Sequence, residues 1–160
     1  MTGPQRDDVP LTVLGVRVDL PAQNHALLLL TPAGDRVVPV WVGAAEATAV
    51  ALVLDGVTPP RPLTHDLLLT AVRALGGTVA CARLTGTRDE AVLGELVLAD
   101  GTVLDARPSD AVAVALRAEA PVLAPPAVVE ELGVPVEEHP ADDLESFRRF
   151  LDDVDPEDFA

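Results

Sequence analysis

Apolar residues in this chain recur first at every second position and later at every third or fourth, which predicts strands leading into helices. From Leu11 onward, Leu14, Val16 and Val18 fall on one side and Gly15, Arg17 and Asp19 on the other, as in a half-buried strand. His25 to Leu30 predicts a second strand, Pro32-Ala33-Gly34-Asp35 a tight turn, and Arg36 to Val42 a third strand closing a hairpin. On the third strand Val38, Val40 and Val42 share one face, and Pro39 and Trp41 the other. Proline cannot donate to a ladder, so Pro39 marks an edge or irregular strand. A helix is expected from Gly43 to about Asp55, with Ala45, Ala49, Leu52 and Val53 as its apolar stripe and Gly56 as its stop.

A stiff connector, Thr58-Pro59-Pro60-Arg61-Pro62, leads into Leu63-Thr64-His65-Asp66-Leu67-Leu68. Thr64 is the expected N-cap of a second helix, Asp66 lies in its first turn, and Leu63 can staple to Leu68. Gly76-Gly77 should end it after Leu75. Thr78 to Thr85 and Ala91 to Ala99 read as paired strands around a turn at Gly86 to Glu90. Asp100-Gly101 is a hairpin turn into Thr102 to Ala106, which makes a three-stranded meander.

The stretch Asp105-Ala106-Arg107-Pro108-Ser109-Asp110 ends that strand and opens a helix carrying Ala111, Val112, Val114, Ala115 and Leu116. Pro108 suits the first helical position, where its missing N–H would have had no partner. Asp110 meets the positive end of the helix dipole, so it can serve as a cap or belong to a ligand site. A short strand from Pro121 to Ala124 and a short helix from Pro126 to Leu132 follow. These mixed runs predict an α+β fold: a mixed or antiparallel sheet with helices packed on it, without a repeated βα unit.

The 160 residues fit a single domain, over residues 11–135, after a disordered lead-in at 1–10. Residues 136–160 form an acidic tail in which Leu144, Phe147, Leu151 and Val154 recur at helical spacing, with Phe150 beside them. Phe147, Phe150 and Phe159 are the only phenylalanines, so this amphipathic helix is expected to dock on the body or on a neighbouring subunit. With one Trp and no Tyr, the core must be aliphatic.

The formal charge is −15, and residues 133–160 carry −8 of it. That acidity argues against nonspecific nucleic-acid binding driven by neutralised phosphates, though a small basic site remains compatible with it. Cys81 is the only cysteine, which excludes an intramolecular disulfide and a Cys-rich metal site and fits a reducing cytoplasm. The chain shows no signal-peptide pattern and no apolar run long enough to span a bilayer, so no membrane role is expected.

P-loop, GxGxxG, HExxH, GxSxG and paired CxxC motifs are all absent, so nucleotide hydrolysis, nicotinamide chemistry and zinc proteolysis have no support. A Ser-His-Asp hydrolase would have to combine Ser109 with His65, but Ser109 lacks the glycines of a nucleophile elbow. Asp66, beside His65, can fix an imidazole tautomer or raise its pKa. Glu46, Asp66, Asp105 and Asp110 are candidates for a divalent-metal site holding Mg²⁺ or Mn²⁺, with Arg61 and Arg107 compensating phosphate charge. In the alternative reading, Asp66 and Asp110 cap helices and the arginines pair with them.

Three segments together resemble the bifunctional nuclease domain family of small bacterial and plant proteins. They are Val38-Pro39-Val40-Trp41-Val42-Gly43 with Glu46, Pro60-Arg61-Pro62-Leu63-Thr64-His65-Asp66-Leu67-Leu68, and Leu104-Asp105-Ala106-Arg107-Pro108-Ser109-Asp110-Ala111. The ending Phe147-Arg148-Arg149-Phe150-Leu151 with Pro156-Glu157-Asp158-Phe159 also resembles many bacterial members. The resemblance implies cleavage of both RNA and DNA, and an α+β fold that self-associates as a homo-oligomer. The residues that match its motifs and can act chemically are His65, Asp66, Asp105 and Asp110, with Arg61, Arg107 and Ser109 toward substrate. The rival expectation is a non-catalytic binding or regulatory module whose motif residues hold caps and a subunit interface.

Overall fold

The computed structural model describes residues 4–19, 24–89 and 91–136; the expected tail helix lies outside them. Strands β1 (Val9–Asp19), β2 (Asn24–Leu30) and β3 (Arg36–Val42) form an antiparallel meander. Helices α1 (Ala44–Leu54) and α2 (Thr64–Ala74) follow. A second antiparallel meander comprises β4 (Val79–Arg88), β5 (Ala91–Leu98) and β6 (Val103–Ala106). Helix α3 (Pro108–Ala118), strand β7 (Val122–Ala124), helix α4 (Pro126–Leu132) and strand β8 (Val134–Pro135) complete the described chain. The expected α+β class holds, with a mixed eight-stranded sheet in the order β6-β5-β4-β7-β1-β2-β3-β8.

Strand β7 is the seam. It runs antiparallel to β1 and parallel to β4, and thereby joins the two meanders into one sheet. A parallel neighbour requires a crossover, and α3 supplies it by passing over β4 and β5. With the sheet on one side and α1 and α2 on the other, α3 is buried almost all round, from Ala111 through Ala115. Its Ala and Val side chains allow that close approach. Fully buried aliphatics such as Leu27, Leu29 and Val112 each contribute about 2 kcal/mol through transfer from water.

The first strand departs from the simple alternation expected. Val9, Leu11 and Val13 turn toward the core, the register shifts between Val13 and Gly15, and Val16 then takes the inward side. This bulge leaves Leu14 exposed instead of on a shared buried face, and Val18, beyond it near the end of the strand, is exposed as well. The strand also starts earlier than Leu11. Asp8, counted with the lead-in, buries its side chain and accepts a hydrogen bond from Arg83 Nε at 2.7 Å. Arg83 Nη1 lies 3.7 Å from Glu95 Oε2, its cross-strand partner, so one buried arginine sits between two buried carboxylates.

Helix α1 buries Ala47, Ala49 and Val50, whereas the expected stripe included the exposed Ala45. The helix packs against both the sheet and α3, and this places its inner face one position away from the sequence pattern. Pro39 pairs with Leu28 on one side, while β8 reaches only Arg36 and Val37 on the other, so its missing donor breaks no ladder among the described residues.

Candidate active site where three helices begin

The second and third helices start differently from each other, and both starts shape the site. Thr64, the expected N-cap of α2, is its first helical residue; Leu63 occupies the cap position. Asp66 Oδ2 accepts a hydrogen bond from Leu63 N–H at 2.7 Å, which supplies from the third position the anchor expected of the threonine hydroxyl. Its other oxygen, Oδ1, accepts from Arg117 Nε near the end of α3. Arg117 also donates to the carbonyl oxygens of Ala113 at 2.9 Å and Ala49 at 3.2 Å, so one guanidinium ties together α1, α2 and α3.

Helix α3 begins with Arg107 at the cap and Pro108 just inside it. Gly94 of β5 passes directly beneath: a Cβ there would stand 2.9 Å from Pro108 Cα and 3.0 Å from Ala106 O. Only glycine lets the strand lie this close to the junction, and that closeness sets where the first turn of α3 emerges.

Around that turn, His65 Nε2 lies 3.0 Å from Asp110 Oδ1. Arg107 Nε donates to Asp110 Oδ2 at 2.8 Å, and Arg107 Nη2 donates to Glu46 Oε1 at 2.7 Å. Glu46 is in the first turn of α1, His65 in that of α2, and Asp110 in that of α3. The four side chains line a pocket of about 310 Å³ with Ala45, Ala49, Leu63 and Thr64.

An ionised Asp110 only accepts hydrogen bonds, so the neutral imidazole must carry its proton on Nε2, which leaves Nδ1 with a free lone pair. Burial works to raise the Asp110 carboxyl, but the hydrogen bonds from Arg107 and His65 outweigh it and hold it below the ordinary range. Burial likewise works against Asp66, where the Leu63 N–H and Arg117 prevail and lower it. Arg107 is raised by its bonds to Asp110 and Glu46, and so stays a cation throughout. It is 67 % exposed, and only two of its five N–H donors are engaged by these carboxylates.

The structure places the sequence candidates in three settings. His65, Asp110, Arg107 and Glu46 come together in one pocket. Asp66, with Arg117, lines a separate pocket of about 410 Å³ on the far side of the α2 start, so Asp110 and not Asp66 meets the His65 Nε2. Asp105 is exposed on β6 opposite Glu95, Arg61 is exposed in the connector, and neither lines the His65 pocket. Ser109 is buried in the wall of a third pocket beside Arg107.

Of the carboxylates considered for a divalent metal, Glu46, Asp66 and Asp110 are each engaged by an arginine. Among the described residues no three of His, Cys, Asp and Glu converge as metal ligands. Sequence reasoning does not single out Arg117 or Trp41: a basic residue in the last turn of a helix is ordinary, and the one available signal for Trp41 is its isolation as the one tryptophan.

A mixed-sheet α+β domain whose helix starts gather a histidine, an aspartate and an arginine has the parts of an acid–base site for a phosphate ester. Residues 27–137 match the family model of the Bifunctional nuclease domain, and the chain belongs to that family. It is 38% identical over 156 residues to Uncharacterized protein MT1877 of Mycobacterium tuberculosis strain CDC 1551, covering 92% of this chain and 95% of the relative. The same figures hold for Uncharacterized protein Rv1829 of strain H37Rv. No helix among the described residues is long and apolar enough to cross a membrane.

Proposed function

We propose that this protein is a phosphodiesterase that cleaves RNA and DNA at the His65–Asp110–Arg107 cluster. The observation carrying this reading is the position of Asp110, shared between His65 Nε2 at 3.0 Å and Arg107 Nε at 2.8 Å. Family membership supports nucleic acid as the substrate class.

DNA has no 2′-hydroxyl, so a mechanism common to both polymers uses water as nucleophile. His65 Nδ1 takes a proton from the water as its oxygen bonds to phosphorus, and Asp110 stabilises the imidazolium formed. Arg107 turns its unused donors toward the phosphoryl oxygens and offsets their charge. The P–O ester bond breaks, and the departing oxygen takes a proton from solvent. Asp66 and Arg117 act as positioning residues that set the angle of the α2 start. The proposed setting is a reducing cytoplasm, which the buried, unpaired Cys81 thiol suits.

The test is cleavage of labelled single-stranded RNA and DNA by wild type, His65→Gln and Asp110→Asn, each with Mg²⁺, with Mn²⁺ and with EDTA. Cutting in EDTA that falls about a hundredfold or more in both folded variants supports the reading. Cutting that appears only with added metal would overturn the mechanism. Cutting unchanged in both variants, or none above a mock purification, would overturn the site.

One observation favours the rival reading of a self-associating module without chemistry. Leu67 on α2 and Leu75 at its C-terminal cap are 64% and 89% exposed, apolar surface suited to a subunit interface. That reading expects no cleavage in any arm, together with a homo-oligomer by sedimentation that dissociates in Leu67→Glu.

A further inference from the structure

We infer that Trp41 is a stacking platform for an unpaired nucleobase, which makes single-stranded nucleic acid the preferred form of substrate; this deepens the phosphodiesterase reading and rests on it. Trp41 is the protein's one tryptophan, and no Phe or Tyr occurs before Phe147. The core is built from aliphatic residues, yet the single large aromatic of the body is 66% exposed on β3. An indole buries more apolar area than almost any side chain, so leaving it in solvent forgoes stability that burial would provide.

Its position supports the same conclusion. Trp41 lines a pocket of about 430 Å³ with Val40, Val42, Val92, Pro108 and Arg107. Arg107 also lines the pocket that holds His65 and Asp110, so one exposed guanidinium borders both cavities. A flat aromatic face, an exposed cation and an acid–base pair follow one another in that order. A nucleotide offers the matching order of base, phosphate and scissile ester. Bases in a duplex are already stacked and paired, so only an unpaired base can use this face. Stacking tolerates any base and any sugar, which suits an activity on both RNA and DNA.

The single tryptophan provides its own probe. His65→Gln, in which the proposed cleavage is removed, is titrated with a single-stranded oligonucleotide, the same strand as a duplex, and an abasic strand of equal charge, while Trp41 emission is followed. Anisotropy of a labelled single strand then compares His65→Gln alone with the same variant carrying Trp41→Ala or Trp41→Phe. Quenching by the single strand alone is expected, with affinity lowered about five- to hundredfold in Trp41→Ala and largely restored in Trp41→Phe.

Equal quenching by the abasic strand, or unchanged affinity in folded Trp41→Ala, would overturn the platform. So would Trp41 emission that shifts to the blue with protein concentration alone, which would place the indole between two copies. The two readings fail separately. If His65→Gln abolishes cleavage while Trp41→Ala binds normally, the chemistry stands and the platform falls. If the single strand quenches Trp41 but wild type cuts nothing, the platform stands and the chemistry falls.

Discussion

Arg117 on α3 donates to Asp66 Oδ1 at the start of α2 and, from the same guanidinium, to the Ala49 carbonyl of α1. The side chain is nearly buried, so these bonds form where water competes poorly. Replacing Arg117 by Met should therefore cost about 2 kcal/mol, measured by urea denaturation. Because the α2 start carries His65, cleavage should fall as well, and Asp66→Asn should reproduce much of the loss while keeping the cap. Unchanged stability in Arg117→Met would show that the three-helix tie carries no weight.

Acid should weaken the fold in a defined window. For Asp66 and Asp110, burial is outweighed by hydrogen bonds and arginine charge; for Asp8 it is outweighed by Arg83 and the Gln5 N–H. All three carboxyls lie below the ordinary aspartate value of 3.8, so the unfolded chain binds more protons as pH falls through that region. Their contribution is complete above that value and is lost as pH drops through the lower native values. Thermal melts across the window should show Tm falling with pH, and the slope should be shallower in Asp66→Asn. A slope that the substitution leaves unchanged would contradict the assignment.

Gly94→Ala tests the close approach beneath the α3 start. The added methyl would press on Pro108 and Ala106 backbone, which cannot swing away as a flexible side chain can. Overpacking of this kind costs about 1–3 kcal/mol, and here the strain is expected to displace Arg107 and Asp110. Lower cleavage measured well below the melting temperature would separate displacement of the site from simple unfolding.

If Arg107 contacts phosphate as proposed, Glu46 competes with the substrate for it. Removing its charge in Glu46→Gln weakens one of the two carboxylate contacts and frees the guanidinium for phosphate. The Glu46–Arg107 pair is partly exposed, so the gain should be small, about threefold tighter binding of an oligonucleotide, with a steeper salt dependence. Weaker binding in this variant would mean that Glu46 holds Arg107 in its working position.

Much of the architecture was legible because it follows from local rules. Asp100-Gly101, Gly76-Gly77 and Pro108 mark turns and helix ends through their own backbone chemistry, and the structure puts elements close to where they predict. The phase of β1 was hidden, since a bulge at Leu14-Gly15 reverses the alternation without leaving a polar residue to announce it. The pairing of His65 with Asp110, 45 positions later, was illegible for a different reason. Sequence shows that both residues open helices, but only the crossover of α3 over the sheet brings those two openings face to face. The nearer carboxylate, Asp66, looked like the natural partner because adjacency in sequence is visible and convergence in space is not.

The three-residue seam β7 has a consequence for how the molecule assembles. Each meander can zip from its own short turns, so most of the sheet forms from local encounters that close small loops. Uniting the halves requires β7 to slot between β1 and β4, more than a hundred residues after β1 began, and only once α3 has bridged β4 and β5. Closure of the sheet and placement of the α3 start thus depend on the same connection. A change that unseats β7 would therefore disturb the candidate chemistry while leaving the pairings within each meander in place.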